Sequence, residues 1–167
     1  MKLEIHSFES IQEREKQPFD PHTALISISS PDMAPPKLLH KPEHMLRLVF
    51  DDITPEEAVE RLELSPSLLK RTSVLHLLLR NFNTYVFDDE MADKAAKFIM
   101  NYAPETDVFI CQCEYGQSRS AACAAAIAET FGGHGEVVFK DKYYCPNRWV
   151  YQKLLAVLQK YAAEKEG

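Results

Sequence analysis

Between Val108 and Phe131 the chain runs from Val108-Phe-Ile-Cys-Gln-Cys through a short polar turn into an alanine-rich stretch that Gly132 and Gly133 stop. The first run is compact, apolar and β-favouring, as a strand covered on both faces must be. A buried strand that turns directly into a helix is the half-unit of a parallel α/β sheet, so this one segment excludes an all-β sandwich and a simple helical bundle.

The rest of the chain agrees. Strand-length runs recur at Lys2 to Ser7, Thr23 to Ser29, Met45 to Asp51, Asp107 to Gln112 and Glu136 to Phe139. Asp89 to Tyr102 places Met91, Ala95, Phe98, Ile99 and Tyr102 on one helical face, with Asp88 as N-cap and Pro104 as stop. Arg148 to Glu164 carries Val150, Leu154, Leu155 and Leu158 at helical spacing after Pro146-Asn147. Thr54 to Val86 reads as mostly helical, over Pro55 to Leu62 and Pro66 to Leu79, although Val74 to Leu79 also suits a strand. Ser30 to Pro42 reads as an ordered surface loop. The expectation is an α/β fold in a single domain over residues 1–167, with a mostly parallel central sheet of about five strands flanked by helices.

Composition narrows the function. Of 167 residues, 46% are hydrophobic and 26% charged, which suits one globular core. The formal charge of −6 sets the surface as a whole against polyanions, so neither nucleic acid nor an anionic membrane is expected as a partner. No basic stretch followed by an apolar run opens the chain and no segment has membrane-span length, which predicts a cytoplasmic protein. Cys111, Cys113, Cys123 and Cys145 form no CxxC and have no histidine at ligand spacing, so neither a zinc site nor a disulfide framework is expected. His6, His22, His40, His44, His76 and His134 show no pairing that suggests a function.

The chemistry is concentrated in the turn. Cys113 and Arg119 stand at C-x5-R spacing, enclosing Glu114, Tyr115, Gly116, Gln117 and Ser118, and Ser120 follows directly. Backbone N–H groups of such a turn can converge as an anion nest, and the helix starting near Ser118 adds the positive end of its dipole. Arg119 is able to hold two phosphate oxygens at once, and the same field favours a Cys113 thiolate, a nucleophile.

The C-x-x-G-x-x-R-S pattern in its strand-loop-helix setting resembles the cysteine-dependent protein tyrosine phosphatase superfamily, in its small dual-specificity-like branch. Leu25-Ile-Ser-Ile, Leu46-Arg-Leu-Val-Phe-Asp-Asp-Ile and Pro146-Asn-Arg-Trp-Val-Tyr look like segments of microbial tyrosine phosphatases, so the resemblance spans the chain, least so over Thr54 to Val86. It implies a phosphoric monoester hydrolase without metal or cofactor, acting on a phosphorylated protein or a small phosphomonoester. Cys113 would attack phosphorus, Arg119 would hold the equatorial oxygens, and Ser120 would hydrogen-bond the thiolate. The general acid would be Asp52, with Asp51 the alternative. Two positions depart from the common pattern: Gln112 where many members have histidine, and Ser118 where glycine is frequent.

Blander readings stand beside these. Cys113 also suits a plain buried cysteine, and the Asp51-Asp52 pair a solvated loop cap. Of a second pair, Asp88 and Asp89, Asp88 is better explained as a helix cap. Cys111 suits the core or a redox partner of an oxidised Cys113, and Cys123 suits packing. Asn147 and Arg148 fit a cleft wall or a helix start equally well. Two other functions remain: a catalytically weak module that captures a phosphorylated partner, and a rhodanese-type sulfurtransferase, against which the arginine clamp argues.

Overall fold

The computed structural model describes residues 1–166. Four strands form its sheet: β1 (Lys2–His6), β2 (Thr23–Ser29), β3 (His44–Val49) and β4 (Val108–Gln112), in the order β1-β4-β2-β3 with every pairing parallel. β4 is central, and Cys111 lies level with Ile5 on one side and Ile26 on the other. Because all four strands run the same way, the chain following each one emerges at the same edge. Ser7, Ser30, Phe50 and Cys113 are thereby gathered there, the edge at which open α/β sheets bind ligands.

Alternation along the strands divides the core. Ala24, Ile26, Ile28, Phe109 and Cys111 face a large cluster with α4 (Asp89–Tyr102), α5 (Arg119–Gly132) and α7 (Arg148–Glu166). Leu25 and Ile110 face the other way, onto Ile11 of α1 (Phe8–Arg14) and Leu38 of the proline-rich loop. Both faces are covered, which accounts for strands that read as continuous apolar runs. The alanines of α5 bring its backbone close to its neighbours, and residues 119–128 of the helix are buried throughout. It ends at Gly133, whose φ of 64° is the left-handed cap that a side chain would strain. A smaller cluster joins Ile53 to α2 (Pro55–Arg61) and α3 (Thr72–Arg80) through Ala58, Val59, Leu75 and Leu79.

Two expectations are corrected together. The sheet has four strands rather than about five, because Glu136–Lys140 is a short helix, α6. Its Val137 is exposed, and it is held by a Glu136–Lys140 ion pair one turn apart and by Phe139 packed edge-on against Tyr151. Two valines raised the strand propensity, but the segment pairs with no strand of the sheet and packs against α5 instead. The strand expected over Met45 to Asp51 ends at Val49. Thr54 to Val86 is mostly helical as expected, and Val74 to Leu79 belongs to α3. Helix α1 went unforeseen; Ser7 and Ser10 close a reciprocal capping box there, with serine in the place usually held by Glu or Gln. No described helix is long and apolar enough to cross a membrane.

Leu154 of α7 is wholly buried in the large cluster. Leu154→Ala is expected to cost about 2–5 kcal/mol, read as a lower urea midpoint at unchanged slope.

Candidate active site

The turn from β4 into α5 is held from outside, which leaves its inner face free. Cys113 N–H donates to the His6 carbonyl at 3.1 Å, and the Glu114 carbonyl accepts from Phe8 N–H at 2.9 Å, so the β1–α1 junction forms the outer wall. Gly116 sits against that wall at φ 69°, where a Cβ would lie 2.7 Å from the Ser7 nitrogen. Only glycine fits, on grounds of both backbone conformation and space. On the far side the Gln117 carbonyl accepts from Cys145 N–H at 2.9 Å, and the Gln117 amide donates to the Tyr143 carbonyl at 3.2 Å. Among the described residues, the backbone N–H groups of 114–118 donate to no protein acceptor. Unpaired donors in consecutive residues are what an anion nest consists of.

Arg119 is 2% exposed. Its Nη1 donates to the Phe50 carbonyl at 2.8 Å and the Ser30 hydroxyl at 2.9 Å, which ties the start of α5 to the segments following β3 and β2. Nε is buried and has no acceptor among the described residues, while Nη2 stands 3.7 Å from a Glu114 carboxylate oxygen, too long for a hydrogen bond. One edge of the guanidinium is therefore structural. The other, Nε with Nη2, is the edge that matches two oxygens of a phosphate.

Cys113 is 2% exposed, with Sγ 3.0 Å from the Ser120 hydroxyl. Gln112 is buried behind it, accepting from the Ser27 hydroxyl at 2.7 Å and donating to the Cys113 carbonyl at 2.7 Å. A neutral amide at this position thus fixes the carbonyl of the cysteine and links it to β2. The second departure from the common pattern also has a partner, since the Ser118 hydroxyl donates to Asp52 Oδ1 at 2.7 Å. The same oxygen accepts from Asn147 Nδ2 at 2.9 Å, while Asn147 Oδ1 caps α7 at Val150 N–H.

The two carboxylates after β3 are thereby separated. Asp52 is exposed and touches the loop, whereas Asp51 Oδ2 accepts from Tyr85 N–H at 2.8 Å and its own N–H donates to the Tyr85 carbonyl. Asp88 is the cap of α4, bonded to Met91 N–H and paired with Arg80, and Asp89 pairs with Lys153. The chain therefore brings Cys113, Arg119, Ser120 and Asp52 to the same strand-end edge. Of the two helix-start residues, Asn147 joins them while Arg148 lies over the Phe139 ring. Sequence reasoning missed Ser27, Ser30 and the Phe50 carbonyl, whose bonds to Gln112 and Arg119 span separations no local pattern encodes.

No protein-family model and no curated protein matches the chain. Among solved structures, that of PTPMT1 superposes over 99% of this chain and 94% of its own, with a TM-score of 0.51 at 13% identity. The chain has the phosphatase fold. Human DUSP28 matches over 97% of this chain and 94% of its own, with a TM-score of 0.48 at 16% identity. Within this phosphatase fold the two inner cysteines differ from a reactive thiol. Burial holds the Cys111 thiol well above its ordinary range and pushes Cys123 up to about 12, while Cys145 is exposed. Cys111 and Cys123 are core thiols, protonated at neutral pH. Native-state alkylation at pH 7 is expected to leave both unlabelled until urea unfolds the chain, as read by fragment-ion mapping.

Proposed function

We propose that the protein is a metal-independent phosphomonoesterase of the tyrosine or dual-specificity type, acting through a cysteinyl-phosphate. The observation that carries this reading is the divided guanidinium of Arg119: one edge is spent on Ser30 and Phe50, and the other is buried beside a loop of unpaired N–H groups. A buried donor without a partner costs about 1–3 kcal/mol, and a bound phosphate removes that cost.

In the proposed reaction the phosphoryl group sits in the loop, its equatorial oxygens on the N–H groups and on Nε and Nη2 of Arg119. The Cys113 thiolate attacks phosphorus in line. As the bond to the leaving oxygen breaks, Asp52 gives that oxygen its proton. The Asp52 carboxylate then takes a proton from water, which attacks the cysteinyl-phosphate, releasing inorganic phosphate and restoring the thiolate. Ser120, 3.0 Å from Sγ, donates to the sulfur as negative charge returns to it. Ser118 and Asn147 share one Asp52 oxygen and position the carboxyl, leaving its second oxygen to carry the proton. No step calls for a metal ion.

Purified protein is expected to hydrolyse p-nitrophenyl phosphate in EDTA and to be inhibited by vanadate. Cys113→Ser should abolish turnover yet retain oxyanion binding, and Arg119→Lys should keep the charge but lose most of the rate, because an ammonium does not match the fork. Stoichiometric oxyanion binding by the unsubstituted protein without turnover would instead assign a phosphate-capturing module.

Asp52 is tested by leaving group. Asp52→Asn should slow hydrolysis of a phosphotyrosine peptide by about 10²- to 10⁴-fold, the usual range for a general acid, and slow p-nitrophenyl phosphate far less, because that phenol departs readily without a proton. Asp51→Asn should show no such leaving-group dependence, since Asp51 is bonded to the Tyr85 backbone.

A further inference from the structure

Beside the loop lies a groove of about 500 Å³ whose walls include Phe8 and Glu9 of α1, Met33 of the proline-rich loop, Glu114 and Tyr115 of the phosphate-facing turn, and Tyr143. Two properties distinguish it. Tyr115 is 69% exposed and Tyr143 60%, flanking Gln117, which is bonded to the Tyr143 backbone, so aromatic surface stands in solvent next to the phosphate position. Its charged walls are both carboxylates, and among the described residues no lysine or arginine lines it. Glu114 is set within the turn itself, 3.7 Å from the arginine that would hold the phosphate, so a second phosphate at this mouth would face a carboxylate.

This charge pattern disfavours a multiply phosphorylated headgroup and favours a cation beside one phosphate. The ligand chemistry that satisfies aromatic faces and carboxylates together is a guanidinium, which stacks on tyrosine and pairs bidentately with a carboxylate. We propose that the groove selects phosphorylated residues in arginine-bearing polypeptide, the arginine side chain lying on Tyr115 and Tyr143 with its guanidinium facing Glu9 and Glu114. The proposal rests on the phosphatase reading and deepens it: the loop takes the phosphate, the groove reads the residue beside it.

The test is binding of labelled phosphotyrosine peptides, of equal length with arginine, alanine or aspartate flanking the phosphotyrosine, to the Cys113→Ser protein. Tungstate and a soluble trisphosphorylated inositol are run in parallel. An exposed ion pair and a cation–π contact together correspond to about 5- to 20-fold tighter binding of the arginine peptide than the alanine peptide, with aspartate weakest. Glu9→Gln with Glu114→Gln should erase most of that preference, and raised salt should reduce it. Competition of the same peptides against aryl phosphate turnover by the unsubstituted protein gives the ranking again, independently of how Cys113→Ser folds. Equal affinities, preference for the aspartate peptide, or tighter binding of the inositol phosphate than of any peptide overturns the proposal. Protein that binds neither tungstate nor peptide, and turns over no aryl phosphate, sinks the phosphate-site reading beneath it as well.

Discussion

The bond from Arg119 Nη1 to the Phe50 carbonyl, with its companion to Ser30, is the interaction on which the rest of the site depends. A guanidinium cannot shed its charge, so burying one requires acceptors placed in advance. Here they come from the ends of β2 and β3, two strands that precede the arginine by most of a domain. The bonds set the rotation of the planar group. With Nη1 committed, Nε and Nη2 are left on the side of Glu114 and the loop, and the proposed phosphate is the partner that would complete them.

The same edge of the sheet distributes the remaining tasks. The outer wall of the loop is the β1–α1 junction, pressed so close to Gly116 that a methyl group has no room. Gln112 supports the Cys113 carbonyl from within the sheet, and Ser118 and Asn147 bring Asp52 to the loop's open side. Both positions that depart from the common phosphatase pattern are thus filled by side chains that make specific bonds. A glutamine supplies the acceptor that joins β4 to Ser27 of β2 and a donor to the Cys113 carbonyl, and a serine contributes a hydroxyl where glycine would contribute none.

Charge at the mouth runs opposite to charge in the loop. In the reading proposed above the nest and Arg119 hold one phosphate, while Glu9 and Glu114 border the adjoining groove. On that reading such an arrangement would discriminate among phosphomonoesters by what surrounds the phosphate, with little effect on the chemistry at phosphorus.

The sequence by itself determined the parallel α/β class and the location of the loop, because both are local. A doubly covered strand reads as a continuous apolar run, a helix end reads as glycine, and C-x5-R with Ser120 places three functional groups within one turn. Helix α4 and its Asp88 cap were legible for the same reason. Strand count was not: Glu136–Lys140 has strand-like residues, yet it forms a short helix against α5 and pairs with no strand. Asp51 and Asp52 are likewise chemically identical neighbours in the sequence. Tertiary structure alone gives them different surroundings, because Tyr85 takes one, and Ser118 and Asn147 take the other, across chain separations that local sequence does not encode.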